Sequence, residues 1–305
     1  MKPGDLPDWV AADLLRAIDV RRRHSAVSEP ELVSILYSEW YAPAEPVEPV
    51  ANGQPPLFGQ YRAAHAGSGG FVDAEVAGLA PGGIVLAAGA GERPRALLPG
   101  DYCHPDGSDR AGLAPQVGER LLVVRRQDAP PAEGWWRTWG GGWRPSAPPA
   151  ALTRVYLAAE PDRVLELVGR LTRILLERAE PWLLKAPADR RALGRPDAVV
   201  IYLPSSELAA GPGASDAVVA LASCAAGLVR DARPALSLPL ARGVALAEDP
   251  AGEESFGESV SGIAARALVS EREHPAAESL DALAAALATA GMDPARPYLR
   301  PRWVS

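Results

Sequence analysis

Proline and glycine set the terms on which this chain can fold. Its 31 prolines and 29 glycines are about a fifth of all residues, against a usual share of roughly 12%. They fall in clusters: Pro43 to Pro56, Pro81-Gly82-Gly83, Pro99-Gly100-Asp101, Gly140-Gly141-Gly142 and Ser146-Ala147-Pro148-Pro149. Each cluster interrupts regular structure, so the chain is built from short elements. No apolar run approaches the roughly 18 residues of a membrane span, and the start, Met1-Lys2-Pro3-Gly4-Asp5, lacks the apolar core of a signal peptide. The chain is still rich enough to fold, because 48% of its 305 residues are hydrophobic and 23% charged, which argues against wholesale disorder. A net charge of −7 argues against a general nucleic-acid or membrane-surface binder. Two cysteines, Cys103 and Cys224, build neither a disulfide scaffold nor a thiolate metal site, and point to the reducing cytoplasm.

Between the breaks the periodicities can be read. Val10, Leu14 and Ile18 recur at helical spacing from Pro7 to Arg23, and Arg21-Arg22-Arg23 sits where cations favour a helix C-terminus. Ser28 with Glu31 forms a capping box ahead of a stripe of Leu32, Leu36 and Trp40. The stretch from Pro43 to Pro56 reads as a linker or loop. Residues 71–144 read as short strands and turns, with Ile84-Val85-Leu86, Leu121 to Val124 and Trp135 to Trp139 as strands and a turn at Asp106-Gly107. In the last half, strands at Arg154 to Leu157, Trp182 to Lys185 and Ala198 to Leu203 alternate with helices. The helices begin near Pro161, at Ser215 (to about Val229), at Ser255 and at Ser279. The fold class is α+β, with a helical N-terminal segment, a β-rich middle and a mixed strand/helix C-terminal half. A division follows into 1–56, helices and linker, and 57–305, the α+β body, with the N-terminal helices either separate or packed onto that body as one domain.

Several chemistries find no footing. Gly89-Ala90-Gly91 runs into Glu92-Arg93-Pro94 and does not open a dinucleotide-binding helix. There is no phosphate-binding Gly-Lys-Ser/Thr loop, and His24, His65, His104 and His274 are too dispersed for a metal cluster. Gly257-Glu258-Ser259-Val260-Ser261-Gly262 misses the nucleophile elbow by one residue. What stands out is Lys185, the only lysine after Lys2 in a chain that otherwise uses arginine. It lies in the apolar segment Pro181-Trp182-Leu183-Leu184-Lys185-Ala186-Pro187. Either it snorkels from a strand end, or burial and neighbouring cations depress its pKa and make it a general base, a role closed to arginine. Arg154, Arg195 and Arg242 lie at strand ends. Each is a solvated charge or half an ion pair, Arg195 with Asp197 for instance, or together they clamp a phosphate.

Tyr37-Ser38-Glu39-Trp40-Tyr41, Arg154-Val155-Tyr156, Leu184-Lys185-Ala186, Arg195 to Tyr202, Pro239 to Pro250, Glu254-Ser255-Phe256-Gly257 and Arg296-Pro297-Tyr298-Leu299 together resemble the HopA-type family of type III secretion effectors. They are most similar to its actinobacterial relatives, the lyase components of class V lanthipeptide synthetases. The resemblance runs from about residue 30 and is densest between 150 and 300.

It implies a phosphoserine/phosphothreonine lyase in lanthipeptide biosynthesis. Such an enzyme eliminates phosphate from a ribosomal precursor peptide, phosphorylated by a kinase-like partner, to leave dehydroalanine or dehydrobutyrine without any cofactor. By analogy with phosphothreonine lyases, Lys185 is the base and Arg154 and Arg195 hold the phosphate. Arg137 is a further cation or a strand-edge arginine stacked on tryptophan. His104, in Gly100-Asp101-Tyr102-Cys103-His104, ranks first as the acid, ahead of His65 and His274. Glu248 and Asp249 orient Lys185 or an arginine, or begin a helix. Arg242 stands where a small residue or proline is expected, so either it adds a phosphate contact or the pocket has changed. Ser255-Phe256-Gly257 reads as a turn anchored by Phe256. The alternatives are a non-catalytic scaffold for peptide or kinase, with Trp135, Trp136 and Trp143 on an exposed face, or an effector acting on host proteins.

Overall fold

Strict alternation along the strands builds the centre of the protein. The computed structural model describes residues 6–24, 27–48, 56–91, 93–98, 100–105, 115–205, 215–250, 254–269 and 275–300. Met1 to Asp5, the middle of the Pro-rich stretch, Glu92, Pro99, Asp106-Gly107 and His274 lie outside them.

The main sheet has seven antiparallel strands in the order β11-β12-β8-β10-β9-β7-β6. These are β6 (Gln127–Ala132), β7 (Trp135–Gly140), β8 (Leu152–Leu157), β9 (Trp182–Pro187), β10 (Val199–Pro204), β11 (Leu238–Ala241) and β12 (Val244–Glu248). Because side chains alternate across a strand, Trp136, Leu184, Ile201, Val155 and Leu246 all point to one face. There they pack with α3 (Leu57–Ala64), α4 (Val164–Leu175) and α5 (Asp216–Ala225) into a core whose members are fully buried. Burying each such aliphatic side chain stabilises the fold by about 1.5–3 kcal/mol. The opposite face, with Leu152, Tyr156, Val200, Tyr202 and Ala247, is covered by α1 (Asp8–Arg23), α2 (Glu29–Leu36), α6 (Phe256–Leu268) and α7 (Ala276–Thr289). The sheet is thus a middle layer between two layers of helices.

The N-terminal helices share one core with α6 and α7. Arg21, buried in the last turn of α1, donates from Nε to the Leu268 carbonyl (3.0 Å) and from Nη2 to that of Val269 (3.2 Å), closing the C-terminus of α6. The capping box at Ser28 and Glu31 is present. After α2 the chain widens into a π-helical turn, Tyr37–Tyr41, with the Ala42 N–H bonded to the Tyr37 carbonyl (3.0 Å). That single wide turn swings Tyr37 and Tyr41 toward the sheet, a use typical of π-bulges.

The β-rich middle divides between two sheets. β1 (Phe71–Ala80), β2 (Ile84–Ala88), β3 (Arg95–Leu97), β4 (Tyr102–Cys103) and β5 (Arg120–Val124) form a second antiparallel sheet, ordered β3-β2-β1-β5-β4, with a small core around Val76, Val85, Leu97 and Leu121. A closed ring of alternating charges ties it to the body. Arg126 binds Asp101 (2.7 Å) and Asp128 (2.9 Å), and Arg62 of α3 binds Asp128 (3.1 Å) and Asp101. No helix among the described residues is long and apolar enough to cross a membrane.

Candidate functional site

The helix-covered face that carries Tyr156 also carries the polar residues of the strands, and the registers align them. Arg137 on β7 lies opposite Lys185 on β9, Lys185 opposite Val200 on β10, and Val200 opposite Tyr156 on β8. In the next row, Tyr202 lies opposite Arg154. Four strands therefore bring Arg137, Lys185 and Arg154 to one side of the sheet, although 48 residues separate the first two in sequence. The π-helical turn and the N-terminus of α6 stand over them. Between lies a cavity of about 280 Å³, walled by Tyr37, Tyr41, Trp135, Tyr156, Asp197 and Glu258 as well as the three cations.

Lys185 is half-buried inside β9 rather than at a strand end. Its Nζ lies 4.5 Å from the Trp135 ring centroid and 5.6 Å from that of Tyr202. No carboxylate among the described residues forms an ion pair with it. Its charge is instead met by aromatic faces, a weaker hold than a salt bridge of the same burial. Arg154 lies 5.0 Å from the Tyr202 ring centroid and is paired with Asp249, yet its buried Nε–H has no acceptor among the described residues. Burial works against the Arg154 charge, but Tyr202, Tyr156 and Asp249 outweigh it and raise the guanidinium pKa. Arg137 pairs with the exposed Glu133 at 2.8 Å.

Arg195 does not wall the cavity. Asp197 engages it with both oxygens, at 2.7 and 2.8 Å, and its Nη2 donates to the Tyr37 hydroxyl at 3.0 Å. The phosphate ligand expected from the sequence is thus committed to a carboxylate, and it reaches the cavity only through Asp197 and Tyr37. Burial followed by the Asp197 charge raises the Tyr37 pKa, with Arg195 opposing. Tyr41 and Tyr156 are fully buried, and burial pushes both phenols well up. Glu258 is held below the usual carboxylate range by the Ser255 backbone N–H (2.7 Å) and hydroxyl, which close the capping box of α6.

Ser255-Phe256-Gly257, expected to be a turn, is this cap. Ser255 is the N-cap and Phe256 is buried. Gly257 has a steric reason: a Cβ there would come within 2.3 Å of the Tyr41 ring. Small size at that position lets the aromatic wall close against the helix.

Two residues expected at the site lie elsewhere. His104 follows β4 in the smaller sheet, is buried, and its Nδ1 meets Glu119 at 3.0 Å. Arg242 is exposed in the β11–β12 turn, beside a larger groove of about 800 Å³ that it shares with Arg233, Arg16 and Trp9. The three tyrosines, Glu133 and Glu258 carry no role in the sequence reading, although Tyr37, Tyr41 and Tyr156 stand in segments that carry the resemblance. Glu248 accepts from the Arg300 backbone N–H at 2.8 Å, and Asp249 holds Arg154. Among the described residues, no three His, Cys, Asp or Glu side chains gather as a metal site.

Comparison with known proteins follows the same outline. The effector protein from Pseudomonas syringae pv. tomato strain DC3000 shares the fold with a TM-score of 0.56, covering 97% of this chain and 100% of that one at 14% identity. The effector protein from Pseudomonas syringae pv. syringae strain 61 gives a TM-score of 0.54 over 96% and 98% at 14% identity. No curated protein matches the chain. The model of the HopA1 effector protein family matches residues 115–299, more than half of the sequence and all the strand residues of the cavity. The chain belongs to the HopA1 effector protein family.

Proposed function

We propose that the protein is a phosphoserine/phosphothreonine lyase. It acts in the cytoplasm on a ribosomal precursor peptide that a kinase-like partner has phosphorylated, leaving dehydroalanine or dehydrobutyrine on the way to a lanthipeptide. One observation carries this reading: Lys185 has no carboxylate partner among the described residues and shares a small cavity with two arginines. A lysine used only for structure would be expected to sit in an ion pair. Here the carboxylates of the cavity are spent on other partners, Asp197 on Arg195 and Glu258 on the cap of α6.

The chemistry follows from the residues. The phosphate dianion is held by Arg154, whose Nε–H is unspent, and by Arg137, released from Glu133. Neutral Lys185 takes the Cα proton. The electron pair of that C–H bond becomes the Cα=Cβ bond, the Cβ–O bond breaks, and phosphate departs with its electrons. No redox partner or external reactant enters the balance.

The scaffold reading asked for tryptophans on an open face. Trp136 and Trp143 are instead buried, and Trp135 faces Lys185. Mass spectrometry of a phosphorylated Ser/Thr peptide, incubated with wild type and with Lys185→Ala, tests the proposal, with a cognate kinase and precursor in a parallel arm. Loss of phosphoric acid with wild type alone is the expected result. Elimination by both proteins would remove Lys185 from the mechanism, and elimination by neither in any arm would return the scaffold to first place.

A further inference from the structure

Elimination makes a further demand on the cavity. A phosphate dianion that departs without a proton becomes a trianion, a poor leaving group. No histidine walls the cavity among the described residues, and His104 is held by Glu119 in the other sheet. Three phenols do wall it. Tyr41 and Tyr156 are fully buried, and the Tyr156 hydroxyl has no hydrogen-bond partner among the described residues. Tyr37 differs in its exposure and in having a guanidinium partner. It is only partly buried, in the π-helical turn. Its oxygen accepts from Arg195 Nη2 at 3.0 Å, and it makes no other hydrogen bond among the described residues, so its own proton is uncommitted. A guanidinium hydrogen bond also stabilises the phenolate left after that proton departs.

Resting on the lyase reading of the same cavity, we infer that Tyr37 is the catalytic acid, donating its phenolic proton to the bridging oxygen of the leaving phosphate. The step balances. The Cα proton passes to Lys185 Nζ and its electron pair forms Cα=Cβ. The Cβ–O pair stays on the phosphate oxygen, which takes the Tyr37 proton and leaves as hydrogen phosphate. Lysine is then protonated and tyrosine ionised, and transfer of one proton from the first to the second through solvent restores both. The charged groups facing Tyr37 are Arg195 and Asp197 from the segment before β10 and Glu258 from the start of α6, with Lys185, Arg137 and Arg154 across the cavity.

The substrate's own ionisation supplies the test. The second pKa of a phosphomonoester is about 6, lower beside arginines. Above it the dianion needs a donated proton, and below it the monoanion brings one. Elimination from a phosphoserine peptide should be followed with wild type and Tyr37→Phe from about pH 8 to about pH 5. The ratio of the two rates cancels any pH dependence that the two proteins share. The expected ratio is about 10²–10⁴ at the alkaline end, falling toward one at the acid end. Wild-type elimination with equal rates for the variant, or with a loss uniform in pH as a packing defect would give, overturns the role of Tyr37 and leaves the lyase reading standing. No elimination by wild type at any pH overturns both.

Discussion

The two faces of the seven-stranded sheet are made by the same strands, one residue apart, and they have opposite characters. Trp136, Leu184, Ile201, Val155 and Leu246 form one face, which packs mainly apolar atoms against apolar atoms. Arg137, Lys185, Val200, Tyr156 and Arg154 form the other, where charges and phenols enclose a cavity. The first face is close-packed and derives its stability from burial. The second carries buried polar groups that are only partly satisfied, which lowers stability. A partly satisfied cationic cavity persists because the opposite face and the flanking helices hold the strands in place. Stability and chemistry are therefore separable by substitutions one residue apart, and the largest effects should show it.

Lys185→Ala is expected to lower elimination by at least the 10²–10⁴-fold typical of a lost general base, while changing the urea midpoint little, since no ion pair among the described residues is broken. Leu184→Ala, its neighbour, should do the reverse. It should cost about 2–5 kcal/mol and leave the rate per folded molecule near that of wild type. Paired urea melts and single-turnover assays would check both. A Leu184→Ala protein that keeps its stability but loses its rate would show that the faces are not separable.

How far this contrast was visible in the sequence depends on the range of the interaction concerned. α1, the capping box at Ser28 and the amphipathic α4 follow from local periodicity, and the structure has them. α3 escaped because eight residues after Pro56, with only Leu57 and Tyr61 buried, give too little period to read. β11 is a short strand containing Pro239, which weakens a local strand signal, and the proline is tolerated at the edge of the sheet. The helix after Ser215 stops at Ala225, short of Val229, where Gly227 takes a left-handed φ of 75°. Lys185 was legible because composition singled it out. Its neighbours were legible only as candidates, since a strand order of β8-β10-β9-β7 cannot be read from the strands one at a time. His104 looked as suitable as Arg154 because nothing local says which sheet a turn-rich segment joins. Tyr37 depends on a π-helical turn, for which no sequence signal was at hand.

The two faces should also answer pH differently. His65 lies on the apolar side, buried, with its ring edge-on to Trp136 and Nε2 at 3.0 Å from the Thr138 hydroxyl. Its Nδ1 accepts from the Gly67 N–H at 2.9 Å, so the neutral ring fits the site and the protonated ring does not. Burial, followed by the charge of Arg126, lowers its pKa from 6.5 to about 4. Between those values the unfolded chain binds a proton that the folded one does not, so stability falls as pH drops through this window. A shift of this size corresponds to about 3 kcal/mol at its acid end. His65→Gln should flatten the dependence of the urea midpoint on pH between about 6.5 and 4, while the pH profile of activity, set on the other face, keeps its shape. An unchanged midpoint profile would mean that the acid sensitivity belongs to the ion-paired carboxylates.

The smallest expected effect lies where the cavity face meets solvent. Glu133 and Gly134 form the β6–β7 turn with φ of 54° and 79°, both left-handed. Such a turn favours Asn-Gly, and glutamate at its first position is strained. The same glutamate holds Arg137 at 2.8 Å while its own side chain is 83% exposed, so the pair is worth about 0–1 kcal/mol. Glu133→Asn should therefore stabilise the protein by up to about 1 kcal/mol by relieving the turn. It should also lower the KM for a phosphopeptide by up to about fivefold, by releasing Arg137, without changing kcat. A KM that rises instead would mean that Glu133 contacts the peptide rather than competing with its phosphate. Arg137 would then belong to the rim of the cavity, and Arg154 would be left to hold the phosphate.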